Sequence, residues 1–147
     1  MYTLTYESTA VGKPSVEDME HLMEKARANN AVYGITGCLV YYNGGFIQII
    51  EGEKDDILTL FERIKLDPRH TDVHLFSDNN ITERTFNGWG MPYFVSNENT
   101  TSRFEIEQFK NNISLLSDLS EKTNTTVLLF WRRIKLLLNN PAEEVYI

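Results

Sequence analysis

The sequence predicts an α+β fold in which a five-stranded sheet carries helices on both faces. Three observations predict it. Stretches of period-two alternation, rich in aromatic and β-branched residues, take turns with stretches of helical spacing as far as about residue 95. An Asn43-Gly44 pair separates two of the strand-like stretches, a strong hairpin signal. Beyond that point the apolar residues recur only at helical spacing.

Each element follows in order. Tyr2 to Ser8 alternates, with Tyr2, Leu4, Tyr6 and Ser8 on one face and Thr3, Thr5 and Glu7 on the other. Gly12 and Pro14 end it, and Ser15 with Asp18 opens a helix through a capping-box analogue. Val16, Met19, Leu22, Met23 and Ala26 form its apolar stripe, and it is expected to end near Asn29 and Asn30. Ile35 to Tyr42 and Gly45 to Glu51 read as a hairpin. Asp55 or Asp56 is expected to cap the next helix, whose apolar positions are Ile57, Leu58, Leu60, Phe61 and Ile64, with Pro68 beyond its end. Val73 to Phe76 reads as a fourth strand. Trp89 to Val95 reads as a fifth, confined by Pro92 to a sheet edge or a bulge. The order β-α-β-β-α-β plus one strand is a ferredoxin-like plan with two helices on one face. Ser96 to Ser102 is a polar loop. Phe104, Ile106, Phe109, Ile113 and Leu116 then mark one helix, and Thr126 to Leu138 a second. These two C-terminal helices are expected to cover the open face of the sheet. The division is thus a domain over residues 1–95 and a helical extension over 96–147, with a frayed tail from Pro141 to Ile147.

Bulk properties exclude several classes. Hydrophobic residues make up 41% and charged residues 24%, the composition of a globular chain with one core. The net charge of −7 disfavours nucleic acid and anionic membrane, whose phosphates need clustered Lys and Arg. No apolar run is long enough to span a membrane, and the N-terminus lacks the pattern of a signal peptide. Cys38 is the only cysteine, so no intrachain disulfide is expected and the cytoplasm is the expected compartment. His21, His70 and His74 are scattered, and no metal site is expected. Arg132 and Arg133 read as an exposed helix face.

The informative residues are polar ones at buried positions. Gln48 stands in the middle of Phe46-Ile47-Gln48-Ile49-Ile50, a central strand. A buried amide without partners costs about 1–3 kcal/mol, so it must be hydrogen-bonded. Tyr6 faces the same interior, and its hydroxyl also needs a partner. A purely structural reading, in which a Tyr6–Gln48 bond fixes the strand register and Asn30 caps its helix, stands level with a functional one.

A resemblance separates them. Asn29-Asn30-Ala31-Val32-Tyr33-Gly34-Ile35-Thr36-Gly37 resembles the N-N-x-x-x-G-I-T-G signature of BLUF domains. Phe46 to Gly52 resembles their F-x-Q-x-[LI]-E-G strand, and Asp67-Pro68-Arg69-His70 their D-x-R-H turn. Arg84, Phe86, Trp89 and Met91 match R-x-F-x-x-W-x-M, and Tyr6 with Ser8 the Y-x-S of the first strand. The five matches fall in register over residues 1 to about 95; Pro92 is the one oddity.

The resemblance implies a blue-light photoreceptor that holds oxidised flavin without a covalent link: FAD, with FMN or riboflavin as the other candidates. It implies that Asn30 meets the polar edge of the ring, with Gln48 between that edge and Tyr6. Arg63, Arg69 and His70 would lie near the ribityl and phosphate end, helped by Asp67, with Ile35 and Phe46 flanking the ring and Ser8 beside them. Electron and proton transfer from Tyr6 would rearrange the Gln48 amide, and Trp89 and Met91 would relay the change to the C-terminal helices. About 50 residues after the sensor are too few for a cyclase or phosphodiesterase domain, so output is expected through another protein or a second copy of this chain. Two competing classes are a light-independent flavin-binding module and a small flavin-dependent enzyme on the same fold. Against the enzyme, no nucleophile-and-base pair is visible.

Overall fold

A computed structural model describes residues 1–96 and 102–139. The chain runs β1 (Tyr2–Ala10), α1 (Val16–Tyr33), β2 (Thr36–Tyr42), β3 (Gly45–Gly52), α2 (Lys54–Leu66), β4 (His70–Asn80), β5 (Gly90–Ser96), α3 (Arg103–Leu119) and α4 (Thr125–Asn139). The strands form one sheet in the order β4-β1-β3-β2-β5. β1 pairs antiparallel with β3 and β4, β2 antiparallel with β3, and β5 parallel with β2. This is the expected ferredoxin-like plan with a fifth strand added at one edge.

Local chemistry sets most boundaries. Ser15 Oγ accepts from the Asp18 N–H while the Asp18 carboxylate accepts from the Ser15 N–H, a complete capping box. Val16, expected in the apolar stripe, is instead exposed one residue beyond that cap. α1 does not stop at Asn29 and Asn30 but continues to Tyr33. Gly34, at φ 65°, is the first residue that adopts the left-handed conformation without steric cost. Its N–H reaches the Ala31 carbonyl, and the Ile35 N–H donates to the Asn30 carbonyl at 2.8 Å. Asn30 is therefore a buried residue of the helix and not its cap. Asn43 and Gly44 both have positive φ, as a two-residue primed turn requires. Glu53 occupies the N-cap of α2 without a side-chain bond. Asp55 and Asp56 are not caps; they sit in the first turn, where the helix dipole favours carboxylates.

β4 is longer than its apolar run. It is an edge strand with most side chains exposed, so its pairing with β1 leaves little hydrophobic trace in the sequence. β5 is the opposite edge, and its register shifts against β2 between Gly37 and Leu39. A Cβ at Gly37 would lie 2.0 Å from the Ile49 carbonyl oxygen, so no side chain fits there. Met91 has φ 62°, and Trp89 lies just before the strand, not in it as expected.

The two faces have separate cores. On one, Tyr2, Leu4, Tyr6, Leu39, Tyr41, Phe46 and Ile50 pack against Met19 and Met23 of α1 and Ile57 and Phe61 of α2. On the other, Cys38, Val40, Tyr42, Ile47 and Ile49 pack against Ile106 and Ile113 of α3 and Val127, Phe130, Trp131, Ile134 and Leu138 of α4. Each fully buried large apolar side chain contributes about 1.5–3 kcal/mol, so the C-terminal helices are an integral seal. Phe109 stacks on Tyr42 with ring centroids 6.1 Å apart. Phe104, expected in the α3 stripe, is exposed, lying in the first turn before the helix reaches the sheet. Arg133 does not simply face solvent: it pairs with Glu7 of β1 at 2.7 Å. Among the described residues no helix is long and apolar enough to cross a membrane. The loop expected over 96–102, apart from its end residues, and the tail expected over 141–147 lie outside the described residues.

Candidate functional site

A cleft of about 360 Å³ opens between α1 and α2 on the first face. Its floor is Tyr6 of β1, Leu39 of β2, and Phe46 and Gln48 of β3. Leu22, Met23, Ala26, Asn29 and Asn30 form the α1 wall; Leu60, Arg63 and Ile64 form the α2 wall. Lys25, Asp67, Arg69 and His70 complete the lining. The β1–β3 register sets Tyr6 directly opposite Gln48, which brings both side chains to one point of one face.

Both side chains are buried, and they bond to each other. The Tyr6 hydroxyl donates to Gln48 Oε1, and Gln48 Nε2 donates to the Met91 sulfur at 3.3 Å. Thr5 Oγ1 donates to the Gln48 carbonyl at 2.8 Å and fixes the backbone beneath. Burial, and secondarily the negative charge of Asp67, push the Tyr6 phenol above its ordinary range, so it stays protonated. Hydrogen bonds from Arg69 hold the Asp67 carboxyl below the usual carboxylate range. The Ile64 carbonyl lies 2.5 Å from His70 Nε2 and can only accept, which places a proton on that nitrogen. Nδ1 then accepts the Ser8 hydroxyl at 2.8 Å.

Eight of the ten residues expected at the cofactor line this cleft: Tyr6, Asn30, Phe46, Gln48, Arg63, Asp67, Arg69 and His70. Ser8 does not line it, but hydrogen-bonds to His70, which does. Ile35 is core, turned towards Gly52 under α2. Met91 lies on the cleft side, fully buried against Gln48. Trp89 lies on the opposite side, edge-on to Phe86, which in turn meets Phe130 and Trp131 of α4. Simple alternation puts residues 89 and 91 on one face; the positive φ of Met91 separates them.

Sequence reasoning missed two supports. Glu51, fully buried, accepts from the Thr85 and Phe86 backbone N–H groups and from the Thr36 hydroxyl. It ties the loop before β5 to the strand that carries Gln48. Arg27 Nε donates to the Met91 carbonyl at 3.2 Å, with its guanidinium over the Tyr93 ring. Glu51 was visible only as part of a motif, and Arg27 only as an exposed-type residue on a helix.

The cleft fits a flat aromatic group with a polar edge and an anionic tail. Its walls mix apolar side chains with the amides of Asn29 and Asn30, and cations stand along its lining. The Asn30 amide lines the cleft on a residue only 4% exposed, where a ligand with donors and acceptors on its edge can meet it. Fold and site together outline a small α+β binding domain with one cleft between α1 and α2.

A family model described as BLUF, sensors of blue-light using FAD, matches residues 1–92. The chain belongs to the BLUF family of flavin-binding blue-light sensors. The photoactivated adenylate cyclase subunit beta of Euglena longa is 44% identical over 84 residues, which cover 57% of this chain and 10% of the relative. The Euglena gracilis subunit is 43% identical over 84 residues, with the same coverage of 57% and 10%. The chain therefore spans about a tenth of the length of these curated relatives. Among solved structures, the dark state of BlrB, a BLUF protein, superposes with a TM-score of 0.65 at 32% identity, covering 92% of this chain and 96% of that one. The photo-activated state of BlsA gives 0.64 at 28% identity, covering 95% and 96%.

Proposed function

We propose that the chain is a blue-light receptor whose photoactive unit is the Tyr6–Gln48–Met91 chain of hydrogen bonds, the single observation that carries the reading. Asn30 and Gln48 would hold the polar edge of a flavin, Phe46 and Leu39 would offer it apolar surface, and Arg63, Arg69 and His70 would serve its phosphate-bearing end. A bound oxidised flavin supplies absorption of blue light and, once excited, a strong pull for an electron.

The protein's part lies in its own residues. Tyr6 is an oxidisable phenol kept neutral by burial. With a flavin bound as electron acceptor, Tyr6 would be the donor of an electron and of its hydroxyl proton, which its bond to Gln48 would carry, and would recover both. An amide donates at one end and accepts at the other. Once Gln48 has rotated or tautomerised, it no longer offers the same N–H to the Met91 sulfur. Met91 and Trp89 then shift between two packings, and α4 with them. Residues 1–95 form the sensor in this account and 96–147 its output extension. Output goes to another protein or to a second copy, without catalysis by this chain. The lone thiol of Cys38 suits the cytoplasm.

Denaturation of the purified protein tests the binding step. It is expected to release an unmodified flavin. A colourless protein that also fails to take up added riboflavin would end this reading.

A further inference from the structure

A separate cleft, of about 260 Å³, lies in the helical layer over the other face of the sheet, where the end of α3 and the loop after it meet α4. Leu128, Trp131 and Leu136 give it apolar surface, and Lys122, Arg132 and Lys135 give it positive charge. Among the described residues no carboxylate lines it, although the chain carries a net charge of −7. Lys122 donates to the Ser117 and Ser120 carbonyls at the end of α3, and Lys135 pairs with Asp118 at 2.7 Å. Arg132 is exposed, and no ion pair engages it among the described residues. Ser117 lines the cleft as well. It is 1% exposed, and its Oγ is buried without a hydrogen-bond partner, which calls for an explanation.

Leu128, Arg132 and Leu136 stand four residues apart, on one exposed stripe of α4. Trp131 differs from them: it is buried in the core of this face and also lines the cleft. Its ring lies 6.3 Å from Phe86, whose ring meets Trp89 at 5.1 Å. Two ring contacts thus join Trp89 to the cleft. We propose that this cleft docks a short segment of a partner protein, in which acidic side chains flank an apolar one, and that light changes its affinity. The cleft is smaller than the roughly 300–1,000 Å³ of small-molecule sites, and suits an anchoring side chain of a peptide. An apolar anchor packs against Leu128, Trp131 and Leu136. A carboxylate beside it takes the guanidinium fork of Arg132, which can donate twice to one carboxylate. An acceptor entering with the anchor satisfies the Ser117 hydroxyl. Elsewhere the surplus of carboxylates repels an acidic segment, so charge directs it to this cleft. Control by light rests on the sensor reading above; docking itself does not.

The test pans the purified full chain, in the dark and under blue light, against phage-displayed short random peptides, and measures the selected peptides by fluorescence polarisation. They are expected to combine Asp or Glu with Leu, Phe or Tyr. Arg132→Glu is expected to weaken them at least about tenfold and to leave the red shift of the flavin intact. Ser117→Ala is expected to weaken them about threefold through one lost hydrogen bond. It should not lower the urea midpoint, since Ala is the better helix former, and a merely structural serine would not affect peptide binding. Light is expected to change the affinity at least about fivefold. Selection of no peptide overturns the proposal, as do neutral or basic peptides or peptides indifferent to Arg132→Glu. Equal affinity in dark and light, with the red shift present, overturns it too. Peptides that bind only after Glu143→Lys with Glu144→Lys make the chain's own acidic residues the occupant and overturn the assignment to a partner. A missing red shift with peptide binding intact strikes the sensor reading instead.

Discussion

Gln48 Nε2 lies 3.3 Å from the Met91 sulfur while Oε1 of the same amide accepts from Tyr6. One side chain on the central strand thus joins a buried phenol to the edge strand. Met91→Leu conserves volume, so it should cost less than about 1.5 kcal/mol and leave flavin binding and the colour change intact. It removes the sulfur that reads the amide. Hydrogen exchange in the wild type should show light-dependent loss of protection over 90–95 and in α4; in Met91→Leu the α4 change should vanish. An unchanged α4 response in the variant would place the route in the loop from Thr82 to Gly88.

That loop is held by Glu51. Its two carboxylate oxygens satisfy the Thr85 and Phe86 N–H groups, and Phe86 sits fully buried between Trp89 and α4. Glu51→Ala orphans both donors and should lower stability by about 2–4 kcal/mol in urea unfolding. A loss under about 0.5 kcal/mol would show that the clamp is replaceable by water.

Alkaline pH should weaken the fold through buried acids. Burial raises the Tyr6 and Tyr41 phenols and the Cys38 thiol in the folded state. The unfolded chain releases these protons near pH 8.5 for the thiol and about 10 for the phenols. The folded state retains them, so stability is full below about pH 8.5 and falls as pH rises beyond it. The urea midpoint should decline above about pH 9, less steeply in Tyr6→Phe than in the wild type. Identical slopes would mean that Tyr6 ionises freely in the folded protein. Because its phenol stays protonated, the light response should persist to about pH 10.

Much of this was legible because single residues dictated it. Asn43-Gly44 fixed the hairpin, Ser15 with Asp18 the start of α1, and Pro92 the edge position of β5. Gln48 stood out because an amide at a buried strand position needs a partner, and register supplied Tyr6. What escaped depended on backbone geometry or distant contacts. The end of α1 turned on which residue takes a positive φ, and Gly34 took it in place of Asn30. Trp89 and Met91 share a parity that the φ of Met91 breaks. Leu22, Met23 and Ala26 read as a core stripe although they line a cleft, since a helix presents the same pattern to a core and to a ligand.

The most direct measurement is the light-minus-dark absorption spectrum of the flavin-loaded protein, with Tyr6→Phe and Gln48→Leu beside the wild type. Both variants keep the bulk of the floor and should bind flavin. The wild type should shift reversibly to the red under blue light, with the flavin still oxidised, and return in the dark. Both variants should remain yellow and unshifted. A variant that cycles like the wild type removes that residue from the relay, and a wild-type protein that binds flavin but shows no reversible shift contradicts the account as a whole.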